Sequence, residues 1–191
     1  MTEPSPPSRQ QLVAGAADMI RRRGLNATSI REVAKHAGTP LGSTYHYFPG
    51  GKQQLATEAV RFAGDTVTRM LDKRLRAGPV DGLRAFLALW REILTGSDFQ
   101  AGCPVLAVSI EEGTHGEALS AAAEAFTGWE AQLTGSLREH GVAAAEAGRL
   151  ATLAVAAAEG AVAMCRAQRS TRPLDRVSAQ LESLITTAVG G

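Results

Sequence analysis

Cysteine is scarce in this chain of 191 residues: Cys103 and Cys165 are the only two, and they lie far apart in sequence. Two such residues make neither a disulfide framework nor a zinc ribbon, both of which need several cysteines at fixed spacings, and a reducing cytoplasm is the expected compartment. Long apolar runs are missing too. The longest, Leu150 to Ala158, is stopped by Glu159 and falls well short of the roughly 20 residues that span a bilayer, so no membrane partner is expected. Met1 to Ser8 is rich in proline and polar residues and lacks the apolar core of a secretory signal; a disordered arm is expected there. His36, His46, His115 and His140 are scattered, with no HExxH or similar ligand spacing, so no metal site is expected. No internal repeat and no convincing strand alternation is present.

Catalytic signatures are equally thin. Cys103, at the start of a predicted helix, has the position of a thiol with a depressed pKa, but no base is paired with it by any local signature. Gly50-Gly51-Lys52 fails as a phosphate loop, because His46 stands where the loop needs glycine and Gln53 where it needs a magnesium-binding hydroxyl. No enzyme activity and no cofactor are therefore expected.

What the chain has is helix. Apolar residues make up 45% of it, enough for a real core, and helical periodicity recurs from end to end, which predicts an all-α fold of nine helices. Residues 1 to 52 hold seven Lys/Arg against three Asp/Glu, net +4, and the remainder carries 13 against 16, net −3. A basic N-terminal unit on a mildly acidic body suits a protein that presents one end to phosphates.

The segment Thr28 to Lys52, TSIREVAKHAGTPLGSTYHYFPGGK, is the most informative. Ser29 and Glu32 have capping-box spacing, so a helix is predicted to start there. Ile30, Val33, Ala34 and Ala37 form one apolar stripe. Gly38 can end that helix, and Thr39-Pro40 supplies an N-cap with proline at the first helical position of the next. Helix, glycine-containing turn, helix is the plan of a DNA-binding helix-turn-helix. On the second helix Leu41, Ser43 and His46 are the candidates for base contact, Ser43 and His46 through hydrogen bonds and Leu41 against a thymine methyl. Gly42 removes a side chain where the helix must approach closely, and Arg31 on the preceding helix is a further candidate for a base or phosphate. Ser29, Thr39, Tyr45, Tyr47 and Lys52 suit the phosphate backbone, where hydroxyls and an ammonium set register without reading sequence.

The string Gly42-Ser43-Thr44-Tyr45-His46-Tyr47-Phe48, followed by Lys52 and Leu55, resembles the recognition helix and the start of the fourth helix in TetR-type transcriptional repressors. Phe-Pro-Gly-Gly-Lys at 48–52 and Gly102-Cys103-Pro104-Val105 resemble the LmrA/YxaF branch of that family. The strong resemblance covers Gln10 to Val60. It implies phosphate-binding roles for Tyr45 and Lys52, a core role for Phe48, a double-stranded DNA operator as partner, and an effector whose binding shifts the fourth helix and releases DNA. Relatives in this branch regulate multidrug-efflux or aromatic-compound genes, some in response to flavonoids. The expected division is an arm and DNA-binding domain at 1–51 and a helical ligand-binding and dimerisation domain at 52–191.

In that body, Phe62, Phe86, Trp90, Leu106, Ile110, Phe126, Trp129 and Leu133 come from four predicted helices, and with Cys103 they form a candidate pocket for a small hydrophobic or aromatic effector. Ser109, Glu130 and Gln132 are its possible polar contacts. Packed core without a cavity is the alternative for the same residues. Leu150, Leu153, Ala157 and Met164 on one helix, with Leu181, Leu184 and Ile185 on the next, offer apolar faces for a homodimer, and intrachain packing is the alternative there. A different class of reading keeps the helix pair structural, in an all-helical interaction or lipid-binding protein, and it requires no salt-dependent affinity for DNA.

Overall fold

A computed structural model describes residues 9–111, 113 and 116–190. The expected disordered arm at 1–8, and the part of the 113–116 turn and sixth-helix end that falls on Glu112, Thr114 and His115, lie outside the described residues. Among the described residues there are nine α-helices and no strand: α1 Arg9–Arg23, α2 Ile30–His36, α3 Leu41–Tyr47, α4 Gly51–Leu75, α5 Pro79–Gly96, α6 Pro104–Ile110, α7 Glu117–Glu139, α8 Ala144–Gln168 and α9 Arg172–Gly190.

The chain forms two compact units. The first comprises Met1–Ala63 and Pro104–Ala123, and so contains α1 to α3, the first half of α4, α6 and the start of α7. Its core is built from Leu12, Met19 and Ile20 of α1, Val33 and Ala34 of α2, Phe48, and Leu55, Ala59 and Val60 of α4, all at most 3% exposed. Three arginines in the last turn of α1 meet the negative end of its dipole. Gly24 ends that helix at φ +84°, a left-handed conformation that favours glycine.

The second unit comprises Gly64–Cys103 and Glu124–Gly191. Within it α8 packs on α9, and α5 packs on both. Phe86, Trp90, Trp129, Leu133 and Leu137 are fully buried. The Gly78-Pro79 break in the sequence predicts a helix from Asp81 to Leu94; in the structure Gly78, at φ +115°, precedes Pro79 at the start of α5, so the helix begins two residues earlier and runs two residues further. By length and composition alone α8 could cross a membrane, but half of its most apolar stretch is buried inside the structure, as a core helix requires.

The start of α3 departs from expectation. Pro40, not Thr39, is its N-cap, without a side-chain cap bond. The Thr39 N–H donates to Ala34 O at 2.8 Å, and its hydroxyl donates to the same carbonyl at 3.3 Å. Both donors are spent closing α2, and Thr39 is only 8% exposed.

Helix packing tests directly through two glycines of the second unit. A Cβ at Gly64 would lie 2.9 Å from the Ala125 Cβ, whereas one at Gly148 meets nothing within 4 Å. Gly64→Ala is expected to destabilise by about 1–3 kcal/mol through overpacking, and Gly148→Ala to stabilise by roughly 0.5–1 kcal/mol by removing a helix-interior glycine. Urea unfolding of the two variants beside the parent measures both, and equal effects would contradict the packing.

Candidate functional site

Two brackets set the entry to the helix pair. At the first turn of α2 the Glu32 N–H donates to the Ser29 hydroxyl oxygen at 3.2 Å, and the Ser29 N–H donates to the Glu32 carboxylate at 3.1 Å. This is the predicted capping box in both directions. The hydrogen bond from the Ser29 hydroxyl, then that from its backbone, holds the Glu32 carboxyl below its ordinary range. The second bracket is Glu111, just past α6: its carboxylate accepts from the backbone N–H of Leu25 at 2.6 Å and of Asn26 at 2.7 Å. Gly24 leaves room for it, since a Cβ there would lie 3.0 Å from a Glu111 oxygen. No spacing in the sequence announces Glu111, because its partners are 85 and 86 residues away.

The second helix of the pair turns Thr44 and Phe48 inward, both completely buried. Gly42, Tyr45 and His46 are exposed and Leu41, Ser43 and Tyr47 half-buried. Ser43 and His46 thus leave polar groups, and Leu41 an apolar one, on the accessible side of one short helix, next to a glycine. Nothing lies within 4 Å of a Cβ at Gly42, so no neighbour within the chain requires glycine there. Arg31 is exposed on α2.

Among the phosphate candidates, Ser29 and Tyr45 are exposed, Tyr45 by 56%. Tyr47 is half-buried, its ring 5.7 Å from that of His46. Lys52 opens α4 after Gly51, whose φ of +67° suits the second glycine of that turn. Its Nζ donates to Asn26 O at 3.2 Å, so the lysine ties the α1–α2 loop and retains two further donors. Thr39 does not belong with this set: its hydroxyl is bonded inward, as described above, and cannot present itself to a phosphate.

The structure brings four candidate effector residues into one aromatic cluster. Trp129 is edge-on to Phe126 at 5.5 Å and to Phe86 at 5.9 Å, and Trp90 stands 5.9 Å from Phe86 and 6.4 Å from Trp129. Leu133, one turn on in α7, is fully buried, and Cys103 is buried. Phe62, Leu106 and Ile110 fall in the other compact unit. Phe62 and Leu106 are half-buried; Ile110 is 75% exposed because α6 turns Val105 and Val108 inward, which places Ile110 on the opposite side. Of the possible polar contacts, Gln132 donates to Thr68 O at 3.2 Å and Ser109 to Val105 O at 2.8 Å.

The residue the sequence reading passed over is Glu159. It is the sole charge between Leu150 and Cys165, and it is only 4% exposed. The Cys103 thiol faces its carboxylate, and among the described residues no N–H or O–H donates to either oxygen. Burial, partly offset by the thiol, pushes its pKa up to about 7.

The dimer candidates divide. Leu150, Leu181 and Ile185 are buried within the chain, as the intrachain alternative requires. Leu153 and Met164 are 45% and 51% exposed, and Ala157 and Leu184 are half-buried. Between Thr152 and Ala167 the exposed positions of α8 are Thr152, Leu153, Ala156, Gly160, Ala163, Met164 and Ala167, none of them charged.

Glu159 makes stability pH-dependent with a definite sign. Its folded-state pKa of about 7 exceeds its ordinary 4.5, so the folded chain holds a proton that the unfolded chain loses first, and the burial penalty grows as pH rises between those values. Glu159→Gln should therefore gain roughly 2–3 kcal/mol relative to the parent at pH 8 beyond any gain at pH 5. Denaturant unfolding at the two pH values checks this; a difference independent of pH would contradict it.

Comparison with known proteins agrees with this geometry. The family model for bacterial regulatory proteins of the tetR family matches residues 12–59, and that for the LmrA/YxaF-like transcriptional regulator C-terminal domain matches 79–180. The chain is 39% identical over 183 residues to the HTH-type transcriptional regulator Rv0196 of Mycobacterium tuberculosis, covering 93% of each chain. It is 28% identical over 181 residues to the HTH-type transcriptional regulator LmrA of Bacillus subtilis, covering 93% of this chain and 96% of LmrA. A TetR transcriptional regulator from Legionella pneumophila shares the fold with a TM-score of 0.84 at 17% identity, over 95% of this chain and 98% of that one. Regulators of this kind bind DNA operators and act as dimers. From its helix-turn-helix through its helical body, the chain belongs to the TetR family of DNA-binding transcriptional regulators, in the LmrA/YxaF-like group.

Proposed function

We propose that this regulator is a repressor of efflux or small-molecule-response genes that leaves its operator when its body binds an apolar or aromatic effector. The observation that carries the DNA half of the reading is the accessible side of α3, where Gly42, Tyr45 and His46 are exposed beside Ser43. In this reading Leu41, Ser43, His46 and Arg31 contact bases, and Ser29, Tyr45, Tyr47 and Lys52 contact phosphates. Residues 1–51 act as the DNA-binding domain and 52–191 as the sensing and dimerising one. The protein works in the cytoplasm, where its DNA is.

Homodimerisation would use the uncharged exposed stripe of α8 around Leu153, Gly160 and Met164, which lets a second copy approach closely. Two copies present two reading helices to a near-palindromic operator with half-sites about one turn or a little more apart. For the effector half, α6 supports a route of communication. Cys103, which faces Glu159, is bonded directly to Pro104 at the start of this seven-residue helix, and Glu111 just past its end grips the loop before α2. An effector acts by binding the DNA-free arrangement more tightly than the DNA-bound one.

Binding of the purified protein to the DNA upstream of its own gene, against random DNA and across a salt series, tests the reading. Selective binding that weakens by about 10³-fold or more between roughly 50 and 200 mM salt is expected for a protein neutralising several phosphates. Tyr45→Ala should weaken binding to all sequences alike, whereas His46→Ala should relax preference at particular base pairs by about 1–3 kcal/mol. Weak binding, equal on both DNAs and unchanged in both variants, would contradict the assignment.

A further inference from the structure

Buried polar atoms without partners are rare in folded proteins, because each costs much of its lost hydration. Among the described residues three such side-chain atoms have no partner, Trp90 Nε1, Gln132 Oε1 and Ser136 Oγ, and the two carboxylate oxygens of Glu159 meet no N–H or O–H donor. All five belong to the second compact unit. They come from α5, α7 and α8, and α5 packs directly on α8. The pattern is one-sided in a useful way, since the strongest acceptor, a carboxylate, has no N–H or O–H donor turned toward it. Only the weakly donating Cys103 thiol faces it.

A carboxylate placed in the middle of an apolar helix is expensive to keep. The other buried positions of α8 around it, Ala158, Ala161 and Val162, are all apolar. A leucine or methionine would fill the same space without the charge. The group is therefore suited to a partner that arrives from outside the chain. That partner must bring what the site lacks, a hydrogen-bond donor, and must not bring a second negative charge.

We propose that Glu159 is the polar anchor of the effector site, and that the effector is an aromatic compound whose N–H or O–H group, a protonated amine or a hydroxyl, donates to the Glu159 carboxylate. This deepens the reading of the body as a sensing domain and rests on it. At pH 8, where Glu159 is mostly ionised, anionic aromatics such as carboxylates are disfavoured as effectors, because two carboxylates at one buried site repel. The aromatic cluster of Phe86, Trp90, Phe126 and Trp129 belongs to the same compact unit and is the kind of edge-on ring surface that an aromatic ligand packs against.

The same unit carries its own reporter, since Trp90 and Trp129 are the only two tryptophans of the chain and both are buried in the aromatic cluster. Tryptophan fluorescence of the full-length protein can be titrated with four probes that share one skeleton: phenylbutylamine, phenylbutanol, the methyl ether of phenylbutanol, and phenylbutyrate. The parent is expected to bind the amine or the alcohol about tenfold more tightly than the ether, the gain typical of a hydrogen bond to a charged acceptor, with phenylbutyrate the weakest. In Glu159→Leu that preference should fall to within about twofold, and phenylbutyrate should gain. Glu159→Gln separates the two donor sources: its amide oxygen still accepts from the alcohol, but it no longer favours the cation. Preference for a donor that survives in Glu159→Leu overturns the proposal. Equal binding of amine, alcohol and ether by parent and variant also overturns it, while leaving the body a binder of apolar molecules. If no probe alters the fluorescence of any of the three proteins, the anchor and the sensing reading both fall.

Discussion

Neither helix of the DNA-reading pair can sustain itself. α2 and α3 are seven residues each, about half the length at which even good helix-forming peptides become marginally stable in water. Their geometry is borrowed from what holds their ends. Ser29 and Glu32 close the first turn of α2, Thr39 closes its last, Phe48 buries the far end of α3, and Glu111 fastens the loop before them by two backbone amides. Lys52 adds a tie from α4 to the same loop. A reading helix fixed in this manner keeps its exposed side chains at defined positions, which is what recognition of base edges demands.

The same reliance on tertiary anchorage makes the pair sensitive to α6. Glu111 accepts two charge-assisted hydrogen bonds, each stronger than a neutral one, and it is separated from the start of α6 by only one short helix. The opposite feature stands in the second unit, where Glu159 is held at a cost in stability rather than a gain. One carboxylate is satisfied by backbone and fixes a loop; the other is met only by the weakly donating Cys103 thiol and is suited to a ligand. The two carboxylates differ in what surrounds them, and that difference assigns them different roles.

Much of the architecture was legible in the sequence. The breaks between helices are marked by glycine, proline and capping signals at their ends: the Ser29–Glu32 box opens α2, Gly38 follows it, Gly78-Pro79 separates α4 from α5, and residues 169–171 separate α8 from α9. What escaped needed three dimensions. Thr39 has the composition of an N-cap but spends both donors on Ala34 behind it. Ile110 has the composition of a pocket residue but faces outward, since a seven-residue helix buries only one stripe. Glu111 acts on partners more than 80 residues away, and no local pattern encodes that. Glu159 did leave a trace, a single charge in an apolar helix, whose significance depends on knowing that the position is buried. Leu150, Leu181 and Ile185 show why an apolar face on an isolated helix does not say which partner covers it.

Hydrogen exchange of the full-length protein, with and without the DNA it selects from a random pool, tests the central claim most directly. The account predicts that DNA slows exchange in the segment from Ser29 to Lys52, with α2, α3 and the start of α4 protected together. Protection confined to other helices, or a selected DNA that protects none of that segment, would contradict it.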